Sequence, residues 1–184
     1  AMAVQNFLNN LYYNTEASSI VQVTLDDAPV KTSGDLPGIG TKAPGFNLTN
    51  AEMNDSTLDD FKGRKIVLSI FSSIETGACA ASVRQFNAEV ESRSGMKVLC
   101  ISVDLPFAQS RFCEAEELAN VVTLSDFRNK EFGKVYGVRI IDGPWRGLLS
   151  RAVVVIDEHG KVVYIEQVRE IAEEPNYEAA LAHI

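Results

Sequence analysis

The chain has 184 residues, 46% hydrophobic and 23% charged, the composition of a globular domain that buries its core without a disulfide scaffold. Its net charge of −8, with no basic block, argues against nucleic-acid binding and against anionic membrane surfaces. No apolar run approaches the roughly 18 residues of a membrane span.

Residues 1–19 read as a polar and aromatic extension with one short helix around Phe7, Leu8 and Leu11. They carry no Lys or Arg, so they do not read as a signal peptide. One domain is expected over residues 20–184. Ile20 to Leu25 alternates and is rich in β-branched residues; Asp26-Asp27 turns it into Ala28 to Lys31, a hairpin. Residues 33–45 are punctuated by Gly and Pro and read as an extended loop.

Strands and helices then alternate. Lys65 to Phe71 and Met96 to Val103 read as buried strands. Cys79 to Glu91 reads as a helix with Val83, Phe86 and Val90 on one face. Pro106 opens a second helix to Leu118, as a first turn tolerates. Val121 to Leu124 is a short strand, and Asn129 to Tyr136 a short helix ended by Gly137. Arg151 to Ile156 and Lys161 to Val168 are strands joined by the turn Asp157-Glu158-His159-Gly160, and Asn176 to Ile184 closes as a helix. This pattern predicts a mainly parallel central sheet, covered on both faces, with an antiparallel hairpin at one side. The element order is that of an α/β, thioredoxin-like fold with a central mixed sheet flanked by helices.

The chemistry gathers at the cysteines Cys79, Cys100 and Cys113. Three thiols in a domain of this size do not read as a secreted disulfide framework. A reducing compartment, the cytoplasm, is expected, with the oxidising periplasm as the alternative. Cys79 follows a buried strand and opens a helix. Open α/β sheets place their sites at such strand ends, and the positive end of a helix favours a thiolate over a thiol. Thr76 precedes it by three residues, and its hydroxyl is able to donate to a thiolate or accept from a substrate. Cys113 is followed by Glu114, Glu116 and Glu117. Like charge disfavours a thiolate there, partly offset by Arg111. Cys79 is thus the better attacking thiolate; Cys113 is open to two readings, a second thiol or a small core residue. Cys100 lies inside a strand as an inert small hydrophobe.

Other site types lack their parts. His159 sits in a turn and His183 one residue from the end, and nothing marks either as the base of a Cys–His hydrolase. There is no Cys-x-x-Cys for zinc or a dithiol centre, and no phosphate loop. Neither cofactor nor metal is expected. Trp145, the single tryptophan, reads as a packing residue, with the lining of an organic-substrate pocket as its alternative.

The segments Thr76-Gly77-Ala78-Cys79-Ala80-Ala81-Ser82-Val83-Arg84, Asp104 to Cys113 (DLPFAQSRFC) and Arg151 to Asp157 (RAVVVID) resemble the bacterial thiol peroxidase subfamily of peroxiredoxins. Asp142-Gly143-Pro144 and residues 174–181 are similar to family sequence as well. The resemblance runs from about Val21 to the C-terminus and does not include residues 1–19. It implies an atypical two-cysteine peroxidase acting on hydrogen peroxide and alkyl hydroperoxides. Cys79 would be the peroxidatic cysteine and Cys113 the resolving one, closing an intrachain disulfide. Thr76 matches the active-site threonine, and Arg151 the arginine that pairs with thiolate and peroxide. On sequence alone, Arg151 reads instead as an edge charge. The family further implies thioredoxin as reductant and a homodimer.

One position departs from the pattern. Seven residues before Cys79 the family carries a proline, and this chain has Ser72. Serine restores a backbone N–H and frees φ, so a looser loop is expected at Ser72 and Ser73, with a hydroxyl able to reach substrate. Glu75 replaces an aspartate, a milder change. Two competing functions follow: a peroxide sensor with slow turnover, motivated by Ser72, and a Cys-x-x-Ser thiol-transfer centre at Cys79 and Ser82.

Overall fold

A computed structural model of the chain describes residues 22–184. The extension at residues 1–19, and its expected helix, lie outside the described residues. Strands β1 (Gln22–Leu25) and β2 (Ala28–Lys31) form the expected N-terminal hairpin. Asp26 and Asp27 turn it with positive φ of 50° and 64°. Glu170 holds that turn by accepting from both of their N–H groups and from Thr24.

The main sheet has seven strands in the order β4-β3-β7-β6-β5-β8-β9. These are β3 (Asn47–Thr49), β4 (Asp55–Thr57), β5 (Lys65–Ile70), β6 (Met96–Ser102), β7 (Val122–Ser125), β8 (Ala152–Ile156) and β9 (Val162–Gln167). Parallel pairing is confined to β5–β6 and β6–β7; every other pairing is antiparallel. The sheet is therefore the expected mixed one, with a parallel centre smaller than the alternation suggested. The difference arises from β3 and β4, a hairpin not visible in the sequence. Each has only three residues, too few for a period-2 signal. The arrangement is otherwise the thioredoxin-like one.

Alternation along the strands loads both faces. Ile66, Leu68 and Ile70 of β5 join Leu99, Leu124 and Val154 on one face, under helix α3 (Glu131–Val135) with Phe132 and Tyr136. Val67, Val98, Cys100 and Val153 point to the other face. There they meet helix α1 (Gly77–Ser92), through Cys79, Val83 and Phe86, and helix α4 (Tyr177–Leu181). Phe112 of helix α2 (Pro106–Ala115) packs against the same face. Among the described residues, no helix is long and apolar enough to cross a membrane.

Candidate active site

Because β5, β6 and β7 run parallel, their C-terminal ends share one edge of the sheet. Strand β8 runs against β5 with Ile70 opposite Ala152. That register sets Arg151, the residue before β8, beside Phe71 at the same edge. Arg151 thus stands one residue ahead of the strand it was expected to open.

After β5 the chain turns through residues 71–76 into α1. Thr76 is extended (φ −90°, ψ 145°) and precedes the helix. The first intrahelical bond runs from Ala80 N–H to the Thr76 carbonyl, 2.9 Å. The N–H groups of Gly77, Ala78 and Cys79 therefore lack an intrahelical acceptor and carry the helix's positive end. Cys79 is fully buried, packed among Phe71, Ile74 and Val83.

Arg151 is also buried, only 2% exposed. Its Nη2 donates to Cys79 Sγ at 2.9 Å, and its Nε donates to the Ile171 carbonyl at 3.1 Å. Tethering at both ends fixes the plane of the guanidinium. The reading of Arg151 as an edge charge is thereby overturned. Edge and interior cannot be told apart from a strand's sequence when its first residue meets a distant helix.

Thr76 is half-buried at the mouth of the site. Its Oγ1 donates to the Ser73 carbonyl at 3.1 Å, not to the Cys79 thiol. The tight turn, in which Thr76 N–H also bonds Ser73 O, directs it there. Ser72 is fully buried, and its Oγ has no protein hydrogen-bond partner. Ser73 Oγ donates to Asp104 Oδ1 at 2.7 Å. Ser82 Oγ donates back to the Cys79 carbonyl at 2.8 Å, which leaves the Cys-x-x-Ser pair without a hydroxyl-to-sulfur bond.

Cys113, half-buried on α2, lines a cleft with Asn50, Ser56, Ser110 and Thr123, toward β3, β4 and β7. Burial pushes its thiol up. The cause is thus burial rather than the neighbouring glutamates, and Arg111 reaches instead toward Glu75 at 3.6 Å. Cys100 is fully buried in β6, and burial pushes its thiol up much further. All three cysteines are free thiols. The structure brings Arg151 onto Cys79 and sets Thr76 at the start of the same helix, with its hydroxyl on Ser73. It leaves Cys113 facing different surroundings.

Residues 39–181 match the model of the Redoxin family. The chain belongs to this family. Within it the relatives are thiol peroxidases of the peroxiredoxin type. The chain is 52% identical over 163 residues to the thiol peroxidases of Mycobacterium bovis and Mycobacterium tuberculosis, covering 89% of this chain and 98% of each of theirs. The crystal structure of a peroxiredoxin-like protein from Aquifex aeolicus superposes with a TM-score of 0.83 at 35% identity, over 90% of this chain and 97% of that one.

Two features of this peroxiredoxin's site escaped the sequence reading. One is the Ile171 carbonyl that orients Arg151; a backbone acceptor leaves no trace in residue type. The other is Asp104, which accepts from Ser73 Oγ, from Ile74 N–H at 2.8 Å and from Ser102 Oγ at 2.6 Å. Its signal was legible: an acid between a buried strand and a Pro-led helix, where sheet-edge sites form. Trp145 packs with Leu148 against the cluster of Val23, Leu25, Val30, Ile140 and Ile171, the last of which gives its carbonyl to Arg151.

Proposed function

We propose that the protein is a thioredoxin-dependent peroxidase that reduces hydrogen peroxide and alkyl hydroperoxides through Cys79. The observation that carries this reading is the buried Arg151 guanidinium at 2.9 Å from Cys79 Sγ. A buried guanidinium needs a counter-charge, and a Cys79 thiolate supplies it. The family match and the thiol peroxidase relatives support the same chemistry.

In this mechanism the thiolate attacks the terminal peroxide oxygen. The O–O bond breaks, and the electron pair leaves on the distal oxygen as water or an alcohol once it takes up a proton. Arg151 and the free N–H groups at the start of α1 stabilise the charge that develops there. Thr76 Oγ1, anchored by its donation to Ser73, retains lone pairs to accept the peroxide hydrogen. Cys79 is left as a sulfenic acid. The Cys113 thiol then attacks it, forming the Cys79–Cys113 disulfide and releasing water. Thioredoxin reduces that disulfide by thiol exchange. The burial of Cys113 suits the role of second thiol, since a neutral thiol does not compete for peroxide. A homodimer and a cytoplasmic setting, with the periplasm as alternative, complete the reading. Ser72 and Ser73 belong to the loop that admits substrate.

The test is NADPH consumption with thioredoxin, thioredoxin reductase and cumene hydroperoxide, beside the Cys79→Ser and Cys113→Ser variants. Turnover that vanishes in Cys79→Ser, and falls to a stoichiometric burst in Cys113→Ser, is expected. Absence of turnover in the parent, with Cys79 still oxidised, would replace this reading by the peroxide sensor. That second reading rests on Ser72, whose buried unpartnered hydroxyl stands where the family has proline.

A further inference from the structure

Residue Asp104 ties the loop before Cys79 to the end of β6, from which the Cys113 helix departs. Its carboxylate accepts from Ser73 Oγ and Ile74 N–H in the loop before α1. The same carboxylate accepts from Ser102 Oγ at the end of β6. Its own carbonyl accepts from Ser125 Oγ at the end of β7. Two residues on, Pro106 begins α2, and Gln109 locks that helix down by donating to Ser102 Oγ and to the Leu124 carbonyl, both at 3.0 Å. One acid therefore joins the Cys79 loop to two strand ends, and through Ser102 Oγ it shares a partner with Gln109 at the base of the Cys113 helix.

The groups beside this knot are poorly satisfied. Among the described residues, three buried side-chain polar atoms lack a hydrogen-bond partner: Ser72 Oγ, Gln109 Oε1 and Arg139 Nε. Two of the three belong to segments tied to this network: Ser72 precedes Ser73, and Gln109 donates to the Ser102 hydroxyl that bonds Asp104. Buried polar atoms without partners penalise the closed state, and water satisfies them when the segment opens. The bonds to the Asp104 carboxylate act against that penalty. Opening serves the proposed resolving step: Cys79 is buried among Phe71, Ile74 and Val83 while Cys113 lines a cleft toward β3, β4 and β7, and a disulfide needs Cα atoms within about 7 Å.

We propose that Asp104 is the positioning residue that latches the Cys79 loop to the end of β6, from which the Cys113 helix departs, so that its bonds set how often the loop and the start of that helix are released. It acts through Ser73, Ile74 and Ser102 and touches neither sulfur nor substrate. This rests on the resolving role of Cys113 proposed above, and its test separates the two.

The test is peptide-resolved hydrogen exchange on the reduced full chain, without peroxide, for the parent and for Asp104→Ala, Asp104→Asn and Ser73→Ala. Losing charge-assisted bonds from a local opening unit predicts about tenfold faster exchange in residues 72–83 and 105–116 of Asp104→Ala. Strand 152–156 stays at the parent rate. Ser73→Ala, which removes one bond, lies between parent and Asp104→Ala. Asp104→Asn keeps the side chain's shape and one acceptor oxygen. It provides the reading should the alanine variant not fold, with a smaller acceleration in the same segments. Acceleration spread evenly over all segments would make Asp104 a general stability residue and overturn the latch; so would no acceleration in any of them. The same samples then receive excess peroxide. The latch predicts a larger ratio of Cys79–Cys113 disulfide to Cys79 sulfinic acid in Asp104→Ala, a partition that a purely structural residue leaves unmoved. A parent that forms no Cys79–Cys113 disulfide would overturn the resolving role of Cys113, while the exchange rates still decide the latch.

Discussion

Arg151 Nη2 lies 2.9 Å from Cys79 Sγ although the two residues are 72 apart in the chain. Antiparallel pairing of β8 on β5 brings them together, since Ile70 faces Ala152 and the two chain segments leave the sheet side by side. The second tether, to the Ile171 carbonyl, leaves the guanidinium one orientation. Lysine has neither the fork nor the second donor.

Arg151→Lys is therefore expected to lower kcat/KM for hydroperoxide by roughly 10²-fold, the range for loss of one preorganised donor. Arg151→Met should fall further. Rapid-quench measurement of Cys79 oxidation checks this. Parent-like rates in Arg151→Lys would show that charge alone, without the bidentate geometry, is sufficient.

Ser72 buries a hydroxyl with no partner. An unsatisfied buried polar group costs about 1–3 kcal/mol, so Ser72→Ala should raise stability by about 1 kcal/mol in urea melts, with an unchanged m-value. Ser72→Pro bears on function. A large gain in peroxidase rate would mark the natural serine as the cause of slow turnover; an unchanged rate would make it a tolerated replacement.

Gly137 follows α3 with φ +70°. A Cβ there would lie 2.3 Å from the Asp35 carbonyl oxygen and 2.6 Å from the Gly34 carbonyl carbon. These are backbone atoms, so no side-chain rotation relieves the clash. Left-handed φ alone costs a non-glycine residue about 1–2 kcal/mol. Gly137→Ala should cost at least about 2 kcal/mol, read as a lower urea midpoint. Its peroxide reaction below the transition should match the parent, because the 34–35 loop is remote from Cys79.

Burial raises the thiols of Cys100 and Cys113 above their ordinary range. Below the pKa of a free thiol, folded and unfolded chains both keep these protons, and pH has no effect through them. Above it the unfolded chain releases them first, so the folded state holds more protons and stability falls as pH rises. Melting temperature should therefore decline between about pH 8.5 and 10 through these groups. Cys100→Ala should be less stable at pH 7 and show a shallower decline. An unchanged slope would locate the alkaline loss elsewhere. Alkylation of Cys113 in the folded protein should follow a pH curve displaced upward from that of a free thiol.

Much of the site was legible along the chain. A thiol between a buried strand and a helix start is a local pattern, and Thr76 lies within one turn of it. The strands of the parallel centre were legible too, because β5 and β6 are long apolar runs. Strands β3 and β4 were not, since three residues carry no periodicity and their pairing is fixed by contacts with each other and with Ser125.

By itself, then, the sequence determined the layered α/β class and the setting of Cys79 at a helix start after a buried strand, because these depend on neighbours within a turn or a strand. Tertiary structure alone decided the rest. Strand register carried Arg151 to Cys79, the fold turned Cys113 into a cleft toward β3, β4 and β7, and loop closure brought Ser73 and Ile74 onto Asp104. Each of these is a meeting of groups far apart in the chain. Residue type does not encode such meetings locally; the hydrophobic faces and the pairing of strands impose them.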